Sequence, residues 1–382
     1  MVARQGKILP FALLAAGASI LSLGLADSAL AQGQQAADTG FDIIVTATRQ
    51  SQLLSRVPVS VSAMTEETLE QKGIKSFEDV ARFTPGVNFN SGSNKISIRG
   101  ISSGAGAGTT GIYLDDTPIQ MRGLGFSADD SLPGIFDLER VEVLRGPQGT
   151  LFGAGSEGGT VRYITPQPGL QEYSVFARAE AAQIQHGGTN YEAGVAAGGP
   201  LIVDKIGFRV SAWHRRDGGW VDRVDNNSIG PANPRGVVNE KNANRSDTTV
   251  LRGALAFQPV EDLLITPSIM YQHRKVNDGD AFYEGISDLK GHVFRKSSPD
   301  RNGSNDKFYL AALNMQYDFD GVSLISNTSY FHRNDYTGYD GTIYDLSYYQ
   351  ELYADEFGKD APLYPFLTPT RINQELPYYF SP

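Results

Sequence analysis

The sequence predicts an α+β domain followed by antiparallel transmembrane β-barrel strands, with the barrel incomplete in this chain. Three observations predict this fold class. Residues 41–165 combine two capped helix starts with short segments that alternate between apolar and polar residues. Residues 172–382 contain longer segments that alternate in the same way. Short and long links alternate between these later segments, as is typical of barrels with short turns at one membrane face and long loops at the other.

Composition excludes several functional classes. The 382 residues include no cysteine, which removes disulfides, thiolate metal sites and cysteine nucleophiles. The 33 Lys and Arg against 43 Asp and Glu give a formal charge of −10, so a nucleic-acid partner, which needs a basic surface, is not expected. Because no nucleophile, acid–base pair or metal-binding cluster is recognisable in the pattern, we expect no enzyme activity, no metal site and no cofactor.

Residues 1–31 have the pattern of a secretory signal peptide. Arg4 and Lys7 precede an apolar stretch, and Ala29-Leu30-Ala31 is the small-x-small pattern that a signal peptidase accepts. We therefore expect export from the cytoplasm and a mature chain that begins at Gln32. An N-terminal membrane anchor is the alternative, and the proline and glycines inside the stretch weaken it.

Residues 32–50 are expected to be a flexible lead-in that contains one strongly β-forming segment. This segment is Asp42-Ile43-Ile44-Val45-Thr46-Ala47. It is either an edge strand of the domain that follows or an exposed extended peptide that adds itself to another protein's sheet. The sequence leaves both interpretations open.

Two short helices are predicted next. Thr65 can cap a helix over Glu66–Lys72, and Gly73 suits its left-handed end. Ser76 and Asp79 have the spacing of a capping box for a second helix. The hydrophobic period then changes to two, which predicts strands at Lys95–Arg99, Ile112–Asp115, Val141–Arg145 and Thr160–Thr165.

The second half of the chain is predicted to consist of β-hairpins. Alternating strands are predicted at Ile206–Trp213, Leu251–Gln258, Ile265–Gln272, Tyr309–Phe319 and Val322–Tyr330. Three links are far longer than the others, at Asp217–Asp247, Val276–Asn305 and Asp335–Pro369. A soluble β-sandwich prefers links of about 2–6 residues, so the link lengths favour a membrane barrel.

Three predicted strands end alike just before a long link. Each combines aromatic residues with histidine and cations, in Trp213-His214-Arg215-Arg216, Tyr271-Gln272-His273-Arg274-Lys275 and Tyr330-Phe331-His332-Arg333. An aromatic belt followed by cations is typical of a bilayer boundary. We therefore expect outer-membrane lipid, with anionic head groups, as a partner of this surface; a chance set of strand-end cations is the alternative.

Several motifs resemble those of the TonB-dependent outer-membrane receptors, most specifically LERVEVLRGPQGTLFGAGSEGGTVRYITPQP at Leu138–Pro168. The others are DIIVTATR at Asp42–Arg49, Thr84-Pro85-Gly86-Val87, Ile98-Arg99-Gly100 and Tyr113-Leu114-Asp115-Asp116. The resemblance implies that Asp42, Ile43, Ile44, Val45, Thr46 and Ala47 are the TonB box, and that a plug domain spans 51–168. It also implies that 172–382 are the N-terminal part of the β-barrel, with about seven to eight strands.

The resemblance also implies a function and its partners. Such a receptor lies in the outer membrane of a Gram-negative cell and binds the TonB energy-coupling protein through the TonB box. It imports a scarce ligand, for which a ferric siderophore or similar chelate is expected here. The alternatives are a carbohydrate or cobalamin receptor of the same family and a soluble periplasmic or secreted ligand-binding module.

Individual residues acquire expected roles from the same resemblance. Arg99 and Arg145 resemble plug arginines that pair with barrel carboxylates. The candidate ligand-facing residues at the plug apex are Asn90, Ser93, Asn94, Arg122 and Phe126. Plugged barrels have about 22 strands, so we expect this chain to be truncated and not competent for transport alone.

Overall fold

The computed structural model describes residues 43–90, 95–102, 108–120, 132–298, 300–319, 321–338 and 340. Within these residues the chain forms a five-stranded sheet with two flanking helices, and a seven-stranded antiparallel sheet. We refer to residues 51–168 as the plug and to the seven-stranded sheet as the wall. The predicted signal peptide, 1–31, lies outside the described residues.

The plug is built around one mixed sheet. Its elements are β1 (Ile44–Val45), β2 (Gln52–Leu53), β3 (Ser60–Thr65), α1 (Glu66–Gln71), α2 (Phe77–Arg82), β4 (Val87–Asn90), β5 (Lys95–Ile98), β6 (Thr110–Leu114), β7 (Thr117–Pro118), β8 (Arg140–Arg145), α3 (Gly149–Phe152) and β9 (Gly159–Ile164). Five of the strands form the sheet in the order β3-β8-β9-β6-β7, with β6 parallel to β9. β1–β2 and β4–β5 are separate two-stranded ribbons; β1 precedes residue 51, whereas β2 lies within the plug.

Local sequence signals set the helix boundaries as predicted. The Thr65 hydroxyl accepts a hydrogen bond from the Thr68 amide at the start of α1. At α2 the Ser76 side chain accepts from the Asp79 amide while the Asp79 carboxylate accepts from the Ser76 amide, which is a complete capping box. Gly73 has a φ of +63°, the left-handed conformation expected beyond the end of α1.

Among the residues that the structure describes, ten further strands follow the plug. They are β10 (Ser174–Gln183), β11 (Thr189–Ile202), β12 (Ile206–Asp217), β13 (Val221–Asp225), β14 (Val237–Glu240), β15 (Ser246–Val260), β16 (Leu263–Val276), β17 (Phe294–Lys296), β18 (Ser304–Phe319) and β19 (Val322–Thr337). Seven form the wall in the order β10-β11-β12-β15-β16-β18-β19, and every neighbouring pair is antiparallel. Each predicted strand is present and extends beyond its predicted bounds.

The two faces of the wall differ as the alternation predicted. Val250, Met270 and Leu310 are at most 6% exposed and pack in one cluster with plug residues. Their neighbours Leu251 and Ile269, which point to the opposite face, are 46% and 59% exposed. The wall therefore has a plug-facing face and an apolar outward face. No helix among the described residues is long and apolar enough to cross a membrane.

The long links after β12 and β16 are folded, which the sequence did not predict. They contribute β13, β14 and β17 to a small sheet of order β14-β13-β17, which we call the loop unit. At its centre the fully buried Asp278 carboxylate accepts hydrogen bonds from Arg223 Nη1 and Lys296 Nζ, both at 2.7 Å. A buried carboxylate with two cationic donors stabilises the fold of both links.

Candidate functional site

The described part of the predicted TonB box, Ile43–Ala47, is docked against the plug. We call it the leading segment. Ile44 and Val45 of β1 pair with Leu53 and Gln52 of β2. Val45 and Ala47 are 0% and 1% exposed in an apolar cluster with Tyr113, Leu144 and Phe152, whereas Ile44 is 55% exposed. The segment thus forms an edge ribbon with one buried face and one accessible face.

A buried ionic cluster lies beneath the leading segment. The Thr46 amide donates to Glu142 Oε1 at 2.9 Å, and Glu142 is fully buried. Arg140 Nε and Arg162 Nη1 both donate to the Glu142 carboxylate at 2.8 Å. The Thr46 hydroxyl in turn accepts from Arg162 Nη1 at 2.7 Å and from Arg140 Nη2 at 3.3 Å. One residue of the segment therefore engages all three buried charges.

Strand register explains why these charges meet. Glu142 of β8 lies opposite Arg162 of β9, and Arg140 is two residues from Glu142, so all three side chains are on one face. The stretch Arg140-Val141-Glu142-Val143 carries this signal in the sequence, since charged residues alternate with valines, and in the structure the strand is buried from Arg140 to Leu144. Sequence reasoning did not single out Arg140, Glu142 or Arg162.

A second contact holds the chain just after the leading segment. Arg49 Nη1 donates to Asp116 Oδ1 at 2.5 Å, and Arg162 Nη2 donates to the same oxygen at 3.1 Å. The Arg49 guanidinium also lies 4.6 Å from the centre of the Phe152 ring, a cation–π distance. Asp116 therefore links the chain after the segment to the ionic cluster.

One strip of the plug, residues 132–138, makes hydrogen bonds, a ring stack and an ion pair with the wall, and we call it the contact strip. The Gly134 amide donates to Gln272 Oε1 at 2.9 Å, and Gln272 Nε2 donates to the Leu132 carbonyl at 3.2 Å. The Phe136 ring stacks on Trp213, with centroids 6.0 Å apart and planes 10° apart. Arg209 forms a buried ion pair with Asp137. The strip is thus attached to several wall strands at once.

Ion pairs also join the plug helices to the wall. Arg178 Nη1 donates to Glu70 Oε1 at 2.6 Å, and its Nη2 donates to the Ile135 carbonyl at 2.8 Å. Lys75, between the two helices, pairs with Glu180 and lies 3.7 Å from the buried Glu192. The wall thus contributes both arginines and glutamates to these contacts.

Arg99 and Arg145, the arginines expected to pair with barrel carboxylates, make other contacts. Arg145 Nη1 donates to the Pro85 carbonyl at 2.8 Å, inside the plug. Arg99 has a φ of +53°, and its amide donates to the Gly86 carbonyl at 2.7 Å. Neither forms an ion pair within the described part of the chain, and their pairing with barrel carboxylates stays a prediction.

Of the predicted ligand-facing residues, the structure describes only Asn90. It ends β4, is exposed, and lies opposite the half-buried Lys95 of β5. Ser93, Asn94, Arg122 and Phe126 lie outside the described residues, as does Asp42 of the predicted TonB box. The grouping of these residues around a ligand therefore stays a prediction.

A small polar cavity lies between the plug and the wall. Asp115 and Arg252 both line it, together with Thr266 and Asn314. Burial raises the pKa of the Asp115 carboxyl above its usual range, and this outweighs the opposing effects of Arg252 and of hydrogen bonds from Thr165. The plug–wall boundary is therefore not uniformly apolar.

Comparisons with known proteins agree with this architecture. Residues 54–160 match the family model of the TonB-dependent receptor plug domain. The chain is 33% identical over 153 residues to the iron-regulated outer membrane virulence protein of Vibrio cholerae, an alignment that covers 38% of this chain and 23% of that protein. It is 30% identical over 161 residues to the ferripyoverdine receptor of Pseudomonas aeruginosa, covering 41% of this chain and 18% of that protein.

The fold is also shared with a solved structure. The ferric yersiniabactin uptake receptor of Yersinia pestis superposes with a TM-score of 0.60 at 18% identity, over 74% of this chain and 42% of that receptor. The chain thus spans less than half the length of the receptors that it matches. The chain therefore contains a TonB-dependent receptor plug domain at residues 54–160, and in sequence and fold it is similar to TonB-dependent outer-membrane receptors.

Proposed function

We propose that the protein is an energy-coupled receptor of the Gram-negative outer membrane that imports a scarce ligand, a ferric siderophore or similar chelate. The observation that carries the proposal is the docked leading segment above a buried ionic cluster. The segment is held by a few directional hydrogen bonds, and its Ile44 side chain is exposed. These properties suit a segment that a partner protein binds and pulls away from the plug. The chain's similarity to an iron-regulated outer membrane protein and to a ferripyoverdine receptor supports a ferric chelate as ligand.

The partner on the inner side is TonB, and the segment offers it a free strand edge. Among the described residues β1 pairs with β2 alone, so its other edge has no strand partner. Addition of a strand to such an edge supplies affinity through main-chain hydrogen bonds. In this scheme Ile43–Ala47, preceded by Asp42, is the TonB box.

Withdrawal of the segment changes the ionic cluster without destroying it. Glu142 loses the Thr46 amide, and Arg162 and Arg140 lose the Thr46 hydroxyl, but the carboxylate keeps both guanidinium partners. Because the buried charges stay paired, removal of the segment avoids the large penalty of an isolated buried charge. The cluster therefore suits repeated release and redocking.

The remaining roles follow from the same scheme. The apolar outward face of the wall lies in outer-membrane lipid after export and cleavage of the signal peptide. Asn90, Ser93, Asn94, Arg122 and Phe126 are proposed to face the ligand. Arg99 and Arg145 are proposed to pair with barrel carboxylates as the plug shifts.

Cysteine crosslinking tests the proposal directly. The chain has no cysteine, so Ile44→Cys introduces a single thiol in the leading segment. We expect this variant, expressed in an iron-starved Gram-negative host, to fractionate with the outer membrane and to form a disulfide with a cysteine placed in TonB. Glu157→Cys, at an exposed plug position outside the segment, is the matched control. Recovery in the soluble periplasmic fraction, or equal crosslinking of both variants, would contradict the proposal.

A further inference from the structure

One chemically reactive pair of residues lies at the end of the long link after β16. Asn302-Gly303 is the one place in the sequence where an asparagine is followed by a glycine, and it directly precedes β18, which begins at Ser304. Asparagine is a thermally labile residue, because the main-chain nitrogen of the next residue can attack its side-chain carbonyl carbon. Glycine allows this attack most readily, since it has no Cβ to restrict the main chain.

The fold keeps glycine at this position. A Cβ on Gly303 would lie 2.7 Å from the Asn277 carbonyl oxygen and 2.8 Å from the Val276 carbonyl oxygen, and real Cβ atoms do not approach other atoms so closely. Another residue at 303 would therefore displace the main chain at the end of β16. The packing of the link thus retains the residue that makes Asn302 reactive.

The two reacting groups are suited to each other. Asn302 Oδ1 accepts a hydrogen bond from the Asp340 amide at 2.5 Å. A donor at this oxygen stabilises the negative charge that develops there when a nucleophile adds to the carbonyl carbon. Among the described residues the Gly303 amide donates no hydrogen bond, so its nitrogen can lose its proton without breaking a contact of the fold.

Water has access to the pair. Gly303 lines an open cavity of about 590 Å³, together with Asp300 and Arg301 on one side of it in the chain and Ser304 on the other. Asn302 itself is half-buried. A reaction that consumes water and releases a small molecule can therefore proceed beside the Gly303 main chain.

We infer that Asn302 is a site of spontaneous deamidation in the folded chain. Hydroxide removes the Gly303 amide proton, and the nitrogen forms a bond to Asn302 Cγ. The bond from Cγ to Nδ2 then breaks, and Nδ2 takes a proton from water and leaves as ammonia, so that a cyclic imide joins the two residues. Water adds to either imide carbonyl carbon and breaks its bond to nitrogen, which gives aspartate or isoaspartate at 302. The reaction changes no oxidation state, and it does not depend on the proposed function.

The modification acts at the centre of the loop unit. The Asn302 amide donates to Asp278 Oδ1 at 3.0 Å, and the same buried carboxylate binds Arg223 and Lys296. Isoaspartate adds a carbon atom to the main chain between this amide and Gly303, which alters the position of one or both. Either product also places a negative charge near Asp278, and like charges disfavour each other. Deamidation should therefore loosen the loop unit.

Peptide mass spectrometry of the aged full chain in dodecyl maltoside micelles tests the site. We expect Asn302 to gain the mass of an amide-to-acid exchange and to become a substrate for a protein isoaspartate methyltransferase. Asn277 and Asn305, which precede aspartates in the same region, should stay intact. In Asn302→Gln the longer side chain forms the ring much less readily, so both signals should be lost. Asn305→Gln is the matched control and should retain them.

The unfolded chain supplies the decisive comparison. We expect Asn302 to convert in the micelle-bound folded chain at least as fast as in the same chain unfolded in urea. Conversion in urea but not in the folded chain overturns the inference, because the fold then protects the pair. An isoaspartate signal that persists in Asn302→Gln also overturns it, since the signal then arises elsewhere.

A second pair of variants tests the effect on the loop unit. Asn302→Asp carries the charge of the aspartate product, and amide hydrogen exchange in β13 and β17 should be faster than in the wild type. Asn305→Asp adds the same charge in β18, where Asn305 Oδ1 lies 2.8 Å from His273 Nε2, and should leave this exchange unchanged. Equal exchange in the two variants would overturn the predicted loosening.

Discussion

Arg209 of the wall donates from Nε to both carboxylate oxygens of Asp137 in the plug, at 3.1 and 3.2 Å. The Asp137 side chain is 1% exposed and that of Arg209 is 9% exposed, so the pair is withdrawn from water. Here the wall supplies the arginine and the plug the carboxylate, the reverse of the arrangement expected for Arg99 and Arg145. The plug is therefore also bound to the wall by an ion pair whose positive charge belongs to the wall.

We expect Asp137→Asn to loosen the plug. Loss of one partner from a buried ion pair costs about 3–5 kcal/mol, because the other charge stays buried. The backbone tolerates the change, since φ at this position is +53° and asparagine adopts that conformation readily. Protease cleavage in the plug of the folded chain should become faster. Glu180→Gln, which removes a half-exposed partner of Lys75, should cost at most about 1 kcal/mol, and an equal effect of the two variants would argue against the pair.

Glu142→Gln should release the leading segment. The variant leaves the buried Arg140 with Glu139 and the buried Arg162 with Asp116 as carboxylate partners, at a cost of at most about 3–5 kcal/mol, and it weakens the acceptor of the Thr46 amide. A spin label on Ile44→Cys reports the result, because a released segment gives a mobile spectrum. Glu157→Gln is the control, since Glu157 is exposed. A spectrum that stays immobile in Glu142→Gln would mean that the remaining contacts, namely the apolar packing of Val45 and Ala47 and the hydrogen bonds of the Thr46 hydroxyl and Arg49, hold the segment.

Gly194→Ala should disturb the contact strip. A Cβ at Gly194 would lie 2.5 Å from the Phe136 ring and 2.7 Å from the Trp213 ring, closer than carbon atoms approach. Overpacking of this kind costs about 1–3 kcal/mol. It should also displace the Phe136 ring of the plug, which packs against the wall. Gly253→Ala has 3.9 Å to its nearest neighbour and should be nearly neutral. Near-ultraviolet circular dichroism and tryptophan fluorescence of the two variants measure the difference.

Low pH should open the loop unit. Burial alone would raise the pKa of the Asp278 carboxyl, but the hydrogen bond and charge of Lys296, with the Asn302 and Gly279 amides, lower it below its ordinary value of 3.8. The resulting stabilisation is complete above the unfolded-state pKa and is lost as the pH falls through the folded-state pKa. Amide hydrogen exchange in β13, β14 and β17 should therefore accelerate below about pH 3.8.

Two variants check the origin of this pH effect. Asp278→Asn should give fast exchange in the loop unit even at neutral pH, because Lys296 and Arg223 lose the buried carboxylate between them. Asp288→Asn changes an acid of the same links whose pKa is also lowered but which is not buried, and it should leave exchange in β13 and β17 unchanged. Equal exchange in the two variants would assign the pH effect to general loop opening.

Local signals predicted the parts of the fold that depend on neighbouring residues. The caps at Thr65 and Ser76 act within one helical turn, and the wall strands follow a period of two over many residues, so both were predictable. The loop unit was not predictable in this way, because β17 has only three residues and pairs in parallel with β13, which is far away along the chain. The ionic cluster depends on the β8–β9 register, which no local pattern specifies.

The contact strip has a consequence for how much of the wall the plug requires. Its partners Trp213 and Arg209 belong to the third wall strand and Gln272 to the fifth, so they follow the strip closely along the chain. The Asp137–Arg209 pair spans 72 residues and the Gly134–Gln272 contact spans 138. The first five strands of the wall therefore supply every one of these partners, so the contact strip needs only this part of the wall to be seated.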